Sequence, residues 1–451
     1  MPIDEEAAVV SQPAPQPERA PIFAARWKLA TRIAFRFCVV YFGLYIVLTQ
    51  MLTSLLFATT NDSGAFEVDN LPPIKAAVVW IGAHVFRIAH PIVTYETGSG
   101  DRVYDWVELA CIVALAILGT ILWSVLDRKR ESYPKLYTWF RLFARFSLAA
   151  TMFTYGAVKA VPLQMPFPGL NRLLERYGDL SPMGVRWASI GASRAYEMFA
   201  GCAELLGGTL LVFPRTTALG ALVCLADATE VFLLNMTYDV PVKLLSFHMI
   251  LLSLFLLAPD AKRLANFFLL DRRAPRSSDH PLFRTARKNR IALAMQVLAG
   301  VFLIGANLYG SARASKIYGA ASPKSQLYGI WNVENFIVDG QPHPPLLTDV
   351  VRWRRIVFDR PDYTTVYAMD DAAQFYAAKI DTKARTLTLT KYSDKNWKAD
   401  LSFAQPDANH LTLDGTLDKH KVHAEFELLD RSKFLLVQRG FHWVQDRPFN
   451  R

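Results

Sequence analysis

Residues 106–126 read WVELACIVALAILGTILWSVL, and Asp127-Arg128-Lys129-Arg130 follow at once. A run of about twenty apolar residues matches a helix rising ~1.5 Å per residue across ~30 Å of hydrocarbon. Six further blocks have the same character: Ile33 to Ala58, Arg145 to Pro162, Arg194 to Phe213, Thr217 to Met236, Val242 to Pro259 and Ile291 to Tyr309. One or two such segments fit a buried soluble helix, but about seven point to a bundle of membrane spans. A shorter run, Ile74 to Ile88, follows Pro72-Pro73 and reads as an interfacial or re-entrant helix.

Composition agrees with this distribution. Of 451 residues, 52% are apolar and 20% are charged, and a chain of this length should hold more than one domain. Lysine and arginine cluster before the first block (Arg26, Lys28, Arg32), after the second (Arg128, Lys129, Arg130, Lys135) and after the sixth (Lys262 through Arg290). By the positive-inside tendency these stretches are cytoplasmic, so the N-terminus lies inside and everything after Tyr309 lies on the far side. The implied location is a bacterial inner membrane with a periplasmic or extracellular C-terminal domain. The formal net charge of +10 is thereby explained by topology, and no nucleic-acid partner is needed; the partner implied is the lipid bilayer, with a membrane or periplasmic protein as a further candidate.

The divisions expected are a disordered segment over 1–29, rich in proline (Pro13, Pro15, Pro17); two spans with an exported loop over 30–130; a four-helix unit over 139–263; a basic loop and seventh span over 264–312; and an exported β-domain over 316–451. The first apolar run is too long and too late for a secretory h-region, so it should remain as an anchor. Cys38, Cys111, Cys202 and Cys224 all fall within the apolar blocks, which predicts packing residues, no disulfide in the exported part and no cysteine metal site.

From about Lys316 the pattern changes from helical periodicity to alternation, as in Thr386-Leu387-Thr388-Leu389-Thr390 and Lys421 to Glu427. Turn signals at Val338-Asp339-Gly340, Arg360-Pro361-Asp362, Gln405-Pro406-Asp407 and Leu417-Asp418-Lys419 space nine or ten short strands evenly. Such spacing predicts an antiparallel meander closed into a barrel or sandwich. The opening Tyr328-Gly329-Ile330-Trp331 resembles the Gly-x-Trp start of lipocalin-type barrels, which implies that Arg439 covers Trp331. A barrel of this size is either filled by its own side chains or holds one small apolar ligand. The aromatic and basic close, Arg439 to Arg451, reads as a strand returning to the barrel or as a docking tail.

Candidate chemistry lies in the third to sixth blocks. Lys159, Glu197, Glu204, Asp227, Glu230, Asp239, Lys243 and His248 stand where charge is costly, so they should face a bundle interior and have partners. Glu197 and Glu204 are seven apart and Asp227 and Glu230 three apart, so each pair projects from one helix face and can meet Lys159. Gly201, Gly207 and Gly208 permit close helix approach around Glu204. Asp239 and Lys243 suit an ion pair in the turn joining the fifth and sixth blocks, and the lone His248 suits a structural role better than ligation. Asn171 to Tyr177 suits an amphipathic turn along the outer interface. Walker, dinucleotide-binding and nucleophile-elbow motifs and paired metal-ligand histidines are absent from the sequence.

Tyr155-Gly156-Ala157-Val158-Lys159, Gly201-Cys202-Ala203-Glu204-Leu205-Leu206-Gly207-Gly208 with Arg215, and the polar hairpin Asn235 to Lys243 together resemble the DoxX-like family of four-helix membrane proteins. The resemblance covers about Arg145 to Arg263. Some members are similar to the DoxD subunit of thiosulfate:quinone oxidoreductase, so the resemblance implies membrane redox chemistry, a quinone as the candidate cofactor, and Tyr155, Lys159 and Glu204 as its candidate contacts. The extra spans and the β-domain depart from that family's minimal pattern. Two functions follow: a quinone-linked membrane component in which Glu204 carries protons and Lys159 is its charge partner, or a non-enzymatic accessory protein whose barrel binds an apolar ligand or a partner. A third reading gives the ion pairs only the task of fixing helix register.

Overall fold

The computed structural model describes residues 26–57, 68–273, 281–394 and 396–450. Most of the proline-rich N-terminal segment expected to be disordered lies outside them. The helices are α1 (Leu29–Leu48), α2 (Gln50–Phe57), α3 (Pro72–His84), α4 (Val103–Leu126), α5 (Pro134–Ala160), α6 (Leu170–Leu174), α7 (Pro182–Gly191), α8 (Arg194–Val212), α9 (Thr217–Thr237), α10 (Lys243–Leu257), α11 (Ala261–Phe268), α12 (Ala286–Ile317) and α13 (Leu435–Gln438).

Six helical stretches among the described residues are long and apolar enough to cross a membrane: Leu29–Leu48, Val103–Leu126, Arg194–Val212, Pro214–Thr237, Lys243–Phe268 and Ala286–Ile317. The remaining expected span is α5, which is long enough but less apolar, and its position explains why. α5 is wrapped by α2, α8, α10 and α12. Its buried face runs almost without interruption from Ala144 to Ala157 and includes Ser147, Thr151 and Thr154. A helix surrounded by other helices presents little surface to lipid, so polar residues are tolerated wherever they find partners. Thr154 donates to Asn307 of α12, and Ser147 and Thr151 donate to the carbonyls one turn back.

Small residues set the closest helix approach. A Cβ on Gly201 of α8 would stand 2.3 Å from the Ala160 amide nitrogen and 2.6 Å from the Gly156 carbonyl oxygen of α5. Only glycine allows that backbone contact. The first apolar block is not one helix, as its length suggested. It breaks at Thr49, whose backbone is extended, and α2 turns onto α5. The run after Pro72-Pro73 forms α3, which packs Val78 against Tyr104 and Val107 of α4.

The C-terminal domain is a closed antiparallel barrel. Its strands are β1 (Gly329–Val338), β2 (Gln341–Pro342), β3 (Trp353–Phe358), β4 (Tyr363–Ala368), β5 (Ala373–Asp381), β6 (Thr386–Lys391), β7 (Lys398–Ala404), β8 (His410–Leu417) and β9 (His420–Leu428). Eight of them pair in sequence and β9 closes on β1, while β2 is a two-residue hairpin partner of β1. Alternation is carried through: Ala399, Leu401 and Phe403 of β7 face in and Lys398, Asp400 and Ser402 face out. Asp339 and Gly340 at the β1–β2 turn both have positive φ, as a type I′ turn requires.

Trp331, Phe336, Phe358 and Phe426 are buried inside the barrel. The Trp331 indole donates to the Leu327 carbonyl at 2.9 Å. Arg439 does not cover Trp331. Its guanidinium lies 4.2 Å from the Phe449 ring and bonds Gln445 in the exposed tail. Nor does the chain after Arg439 add a strand to the sheet among the described residues; β9 is followed by a 3₁₀ turn and α13, with Phe434 packed against Leu170, Ile330 and Val357.

Candidate functional site

Lys159 ends α5 and Glu204 lies midway along α8, and the glycine contact between these helices brings the two together. Their side chains form an ion pair, with 6% of Lys159 and 3% of Glu204 accessible. A buried charge needs several partners to offset lost hydration, and here only part of that need is met. Among the described residues the second carboxylate oxygen of Glu204 has no hydrogen-bond partner. Glu197, one face-repeat earlier on α8, is fully buried; one oxygen accepts from the Met165 amide at 2.8 Å and the other has no partner among the described residues.

The base missed in the sequence is Arg186. It lies on α7, which starts after a serine cap at Ser181 with Pro182, and falls outside the apolar blocks. In the structure α7 packs against α8, and Arg186 is buried with Nη1 donating to Asn235 at 2.9 Å while Nε has no partner among the described residues. Asn235 ties α9 to α10 through Ser246 and the Val242 carbonyl.

A recess of about 50 Å³ is bounded by Lys159, Glu204, Asp227, Arg186, Asn235 and Gln164, among others. A contiguous smaller space brings in Glu197 and Glu230. Glu230 is largely exposed and Asp227 half-buried, so this pair marks the outer edge of the cluster.

Tyr155, one turn before Lys159, connects this recess to a larger one. Its ring centre is 5.9 Å from the Lys159 ammonium nitrogen, and its hydroxyl donates to Gln50 at 2.9 Å. On that side lies a polar cavity of about 240 Å³, bounded by the α1–α2 break and by Tyr155, Glu96, Arg102, Asp105 and Glu108. The break at Thr49 therefore has a result: it places Gln50 in the wall of the larger cavity, against the Tyr155 hydroxyl.

The other candidates separate from this centre. Asp239 and Lys243 pair at 3.2 Å at the end of the bundle, with the Asp239 side chain exposed. Asp101, which sequence reasoning missed, caps α10 by accepting from the Lys243 and Leu244 amides at 2.7 and 2.9 Å. His248 is fully buried with both ring nitrogens engaged, one donating to the Leu244 carbonyl and the other facing the Tyr41 hydroxyl at 2.7 Å, and it stacks on Tyr45. It lines neither recess.

The barrel sits on the same end of the bundle and grips the loop between α5 and α7. Leu170 of α6 is buried against Ile330 and Val357. Asn171 bonds Thr365 and Tyr367 at 3.0 and 3.1 Å, and Arg176 pairs with Asp371. The turn expected along the outer interface is fastened under the barrel. Burial raises the Asp359 carboxyl above its ordinary range despite the neighbouring Arg360 and the Leu170 amide. The same loop supplies Gln164 and Met165 to the recess.

Among the described residues there is no group of three or more histidine, cysteine or acidic side chains placed to hold a metal. No family model matches the chain, and no solved structure matches it. Over 148 residues it is 30% identical to the uncharacterized protein YwoB of Bacillus subtilis (strain 168), an alignment that takes in 31% of this chain and 84% of that protein.

Proposed function

The chain belongs to the family of YwoB, a relative whose name assigns no activity, and on the geometry we propose that it is a membrane component that binds a quinone headgroup and supplies its protons. The observation that carries the reading is Tyr155. It stands between a cavity of about 240 Å³, large enough for a substituted ring, and the enclosed Lys159–Glu204 pair.

A quinone carbonyl accepts hydrogen bonds, and reduction to the hydroquinone takes up two electrons and two protons. In this reading the Tyr155 hydroxyl passes a proton to the reduced carbonyl in the larger cavity; Glu204 takes up a proton from the aqueous side and restores it to Tyr155, returning to the carboxylate that Lys159 stabilises, and the cycle runs once for each of the two protons. Buried acids and bases within a membrane are suited to such relays. Electrons come from a partner redox protein of the membrane. The proposal includes a DoxX-like character for the unit formed by α5, α8, α9 and α10, a cytoplasmic N-terminus, and an exported barrel in a bacterial inner membrane.

The test is a titration of the full-length protein in lipid nanodiscs with a short-chain ubiquinone. Saturable binding is expected, weakened at least tenfold by Tyr155→Phe, while Glu204→Gln retains binding and loses the proton uptake that accompanies reduction. Absence of saturable binding, or binding untouched by Tyr155→Phe, overturns the reading. A second reading, an accessory protein that docks a partner, is favoured by the exposed Phe441 and Trp443 of the tail; capture of a defined partner lost on Trp443→Ala would support it.

A further inference from the structure

The end of the bundle opposite the barrel carries a further recess that the proposed activity does not use. It lies between α5 and α12, has a volume of about 550 Å³, and is walled by Trp139, Phe143, Phe146, Phe283, Ile291 and Met295 among others. The walls are almost wholly apolar, and α12 is one of the six helices long enough to cross a membrane. That volume lies within the range of about 300–1,000 Å³ usual for sites that take a ligand.

Charge at its mouth selects among lipids. Lys288 lines the recess and is exposed on the first turn of α12. Next to it lies a smaller space of about 60 Å³ that shares Leu142, Leu282 and Gln296 and is bounded by Arg141 and Arg145. Arg145 donates to Gln296 and Thr217, and Arg141 faces Asp260, which also faces Arg263. The formal sum over Arg141, Arg145, Arg263, Lys288 and Asp260 is four positive charges against one negative. A cytoplasmic flank accounts for Lys288 and Arg263. It does not account for Arg145, which is eleven residues into α5, or ~16 Å along the helix. Apolar walls leading to a group of basic side chains match an acyl chain joined to a phosphate.

We propose that this groove is a binding site for one anionic phospholipid, its acyl chain between α5 and α12 and its phosphate among Lys288, Arg141 and Arg145. Phosphatidylglycerol is the probe and phosphatidylcholine of identical chains is the neutral comparison. Native mass spectrometry of the full-length protein, exchanged from detergent into each lipid, should show one phosphatidylglycerol retained under conditions that strip phosphatidylcholine.

Ala299 lines the groove, so Ala299→Phe should reduce retention at least tenfold. Lys288→Glu alters only the exposed rim and should lower the preference for phosphatidylglycerol about tenfold. Equal retention of both lipids, a preference unchanged by Lys288→Glu, or retention of a neutral lipid or quinone in place of the phospholipid overturns the proposal. Should Ala299→Phe fail to fold, the Lys288→Glu comparison decides. Quinone titration responds to Tyr155 at the other end of α5, so the two sites fail independently.

Discussion

In the bundle the residues farthest from solvent include Lys159, Glu197 and Glu204, whereas at comparable depth the barrel holds Trp331, Phe336, Phe358 and Phe426. Pairs of opposite character occur in both regions, but the barrel puts them on its outer wall, as with Asp414 and His423. An interior of aromatic side chains is stable by packing alone and leaves a barrel of eight strands little room for a ligand. An interior of imperfectly satisfied charges costs stability, and such a cost is characteristic of functional positions. On the function proposed above, the contrast leaves structure to the barrel and chemistry to the bundle, with the loop under the barrel joining them.

The largest test of the comparison is Trp331→Ala. Removing a fully buried indole should cost about 3–5 kcal/mol, and the loss should stay in the barrel. Hydrogen exchange of the full-length protein should accelerate across β1, β3 and β9 and leave α5 and α8 unchanged. Equal acceleration in both regions would mean that they fold as one unit, and the contrast drawn from them would fail.

Lys159→Met is expected to cost about 3 kcal/mol, at the lower end for breaking a buried ion pair, because Arg186 borders the same recess and leaves Glu204 one cation. Adding Glu204→Leu removes the stranded carboxylate and should recover at least half of the loss in detergent unfolding. A double variant that folds yet takes up no protons on quinone reduction separates chemistry from helix register. One that keeps full proton uptake returns the pair to a purely structural role.

These residues were not equally legible in the sequence. Lys159 and Glu204 stood out because charge within apolar runs has few explanations, and Trp331 because Gly-x-Trp opens an alternating region. Arg186 gave no such signal: its neighbours are those of an amphipathic surface helix, and only the packing of α7 on α8 buries it. The break at Thr49 was equally silent. Leu48-Thr49-Gln50 contains neither proline nor glycine, so the kink comes from tertiary contacts, with Tyr45 stacked on His248 before it and α2 packed on α5 after it. Arg439 was misplaced because the resemblance on which it rested covered two residues and could not say where the chain leaves β9.

The smallest effect concerns the barrel's outer wall. His423 bonds Asp414 at 2.6 Å and lies 3.5 Å from Glu425, and the hydrogen bond to Asp414 raises its imidazole above the ordinary 6.5. A group whose folded value is raised contributes stability that is complete below the unfolded value and disappears as pH rises through the folded one. The barrel should therefore lose stability between about pH 6.5 and the raised value, by less than ~1 kcal/mol because the pair is exposed and screened. His410, raised in the same way by Asp407, titrates in the same window, so the two must be read apart. The His423 imidazole resonance should titrate above 6.5 in the full-length protein. His423→Gln should flatten part of the stability profile while leaving the His410 titration in place; an unchanged profile would show that the outer-wall pairs contribute nothing and that the barrel rests on its aromatic interior alone.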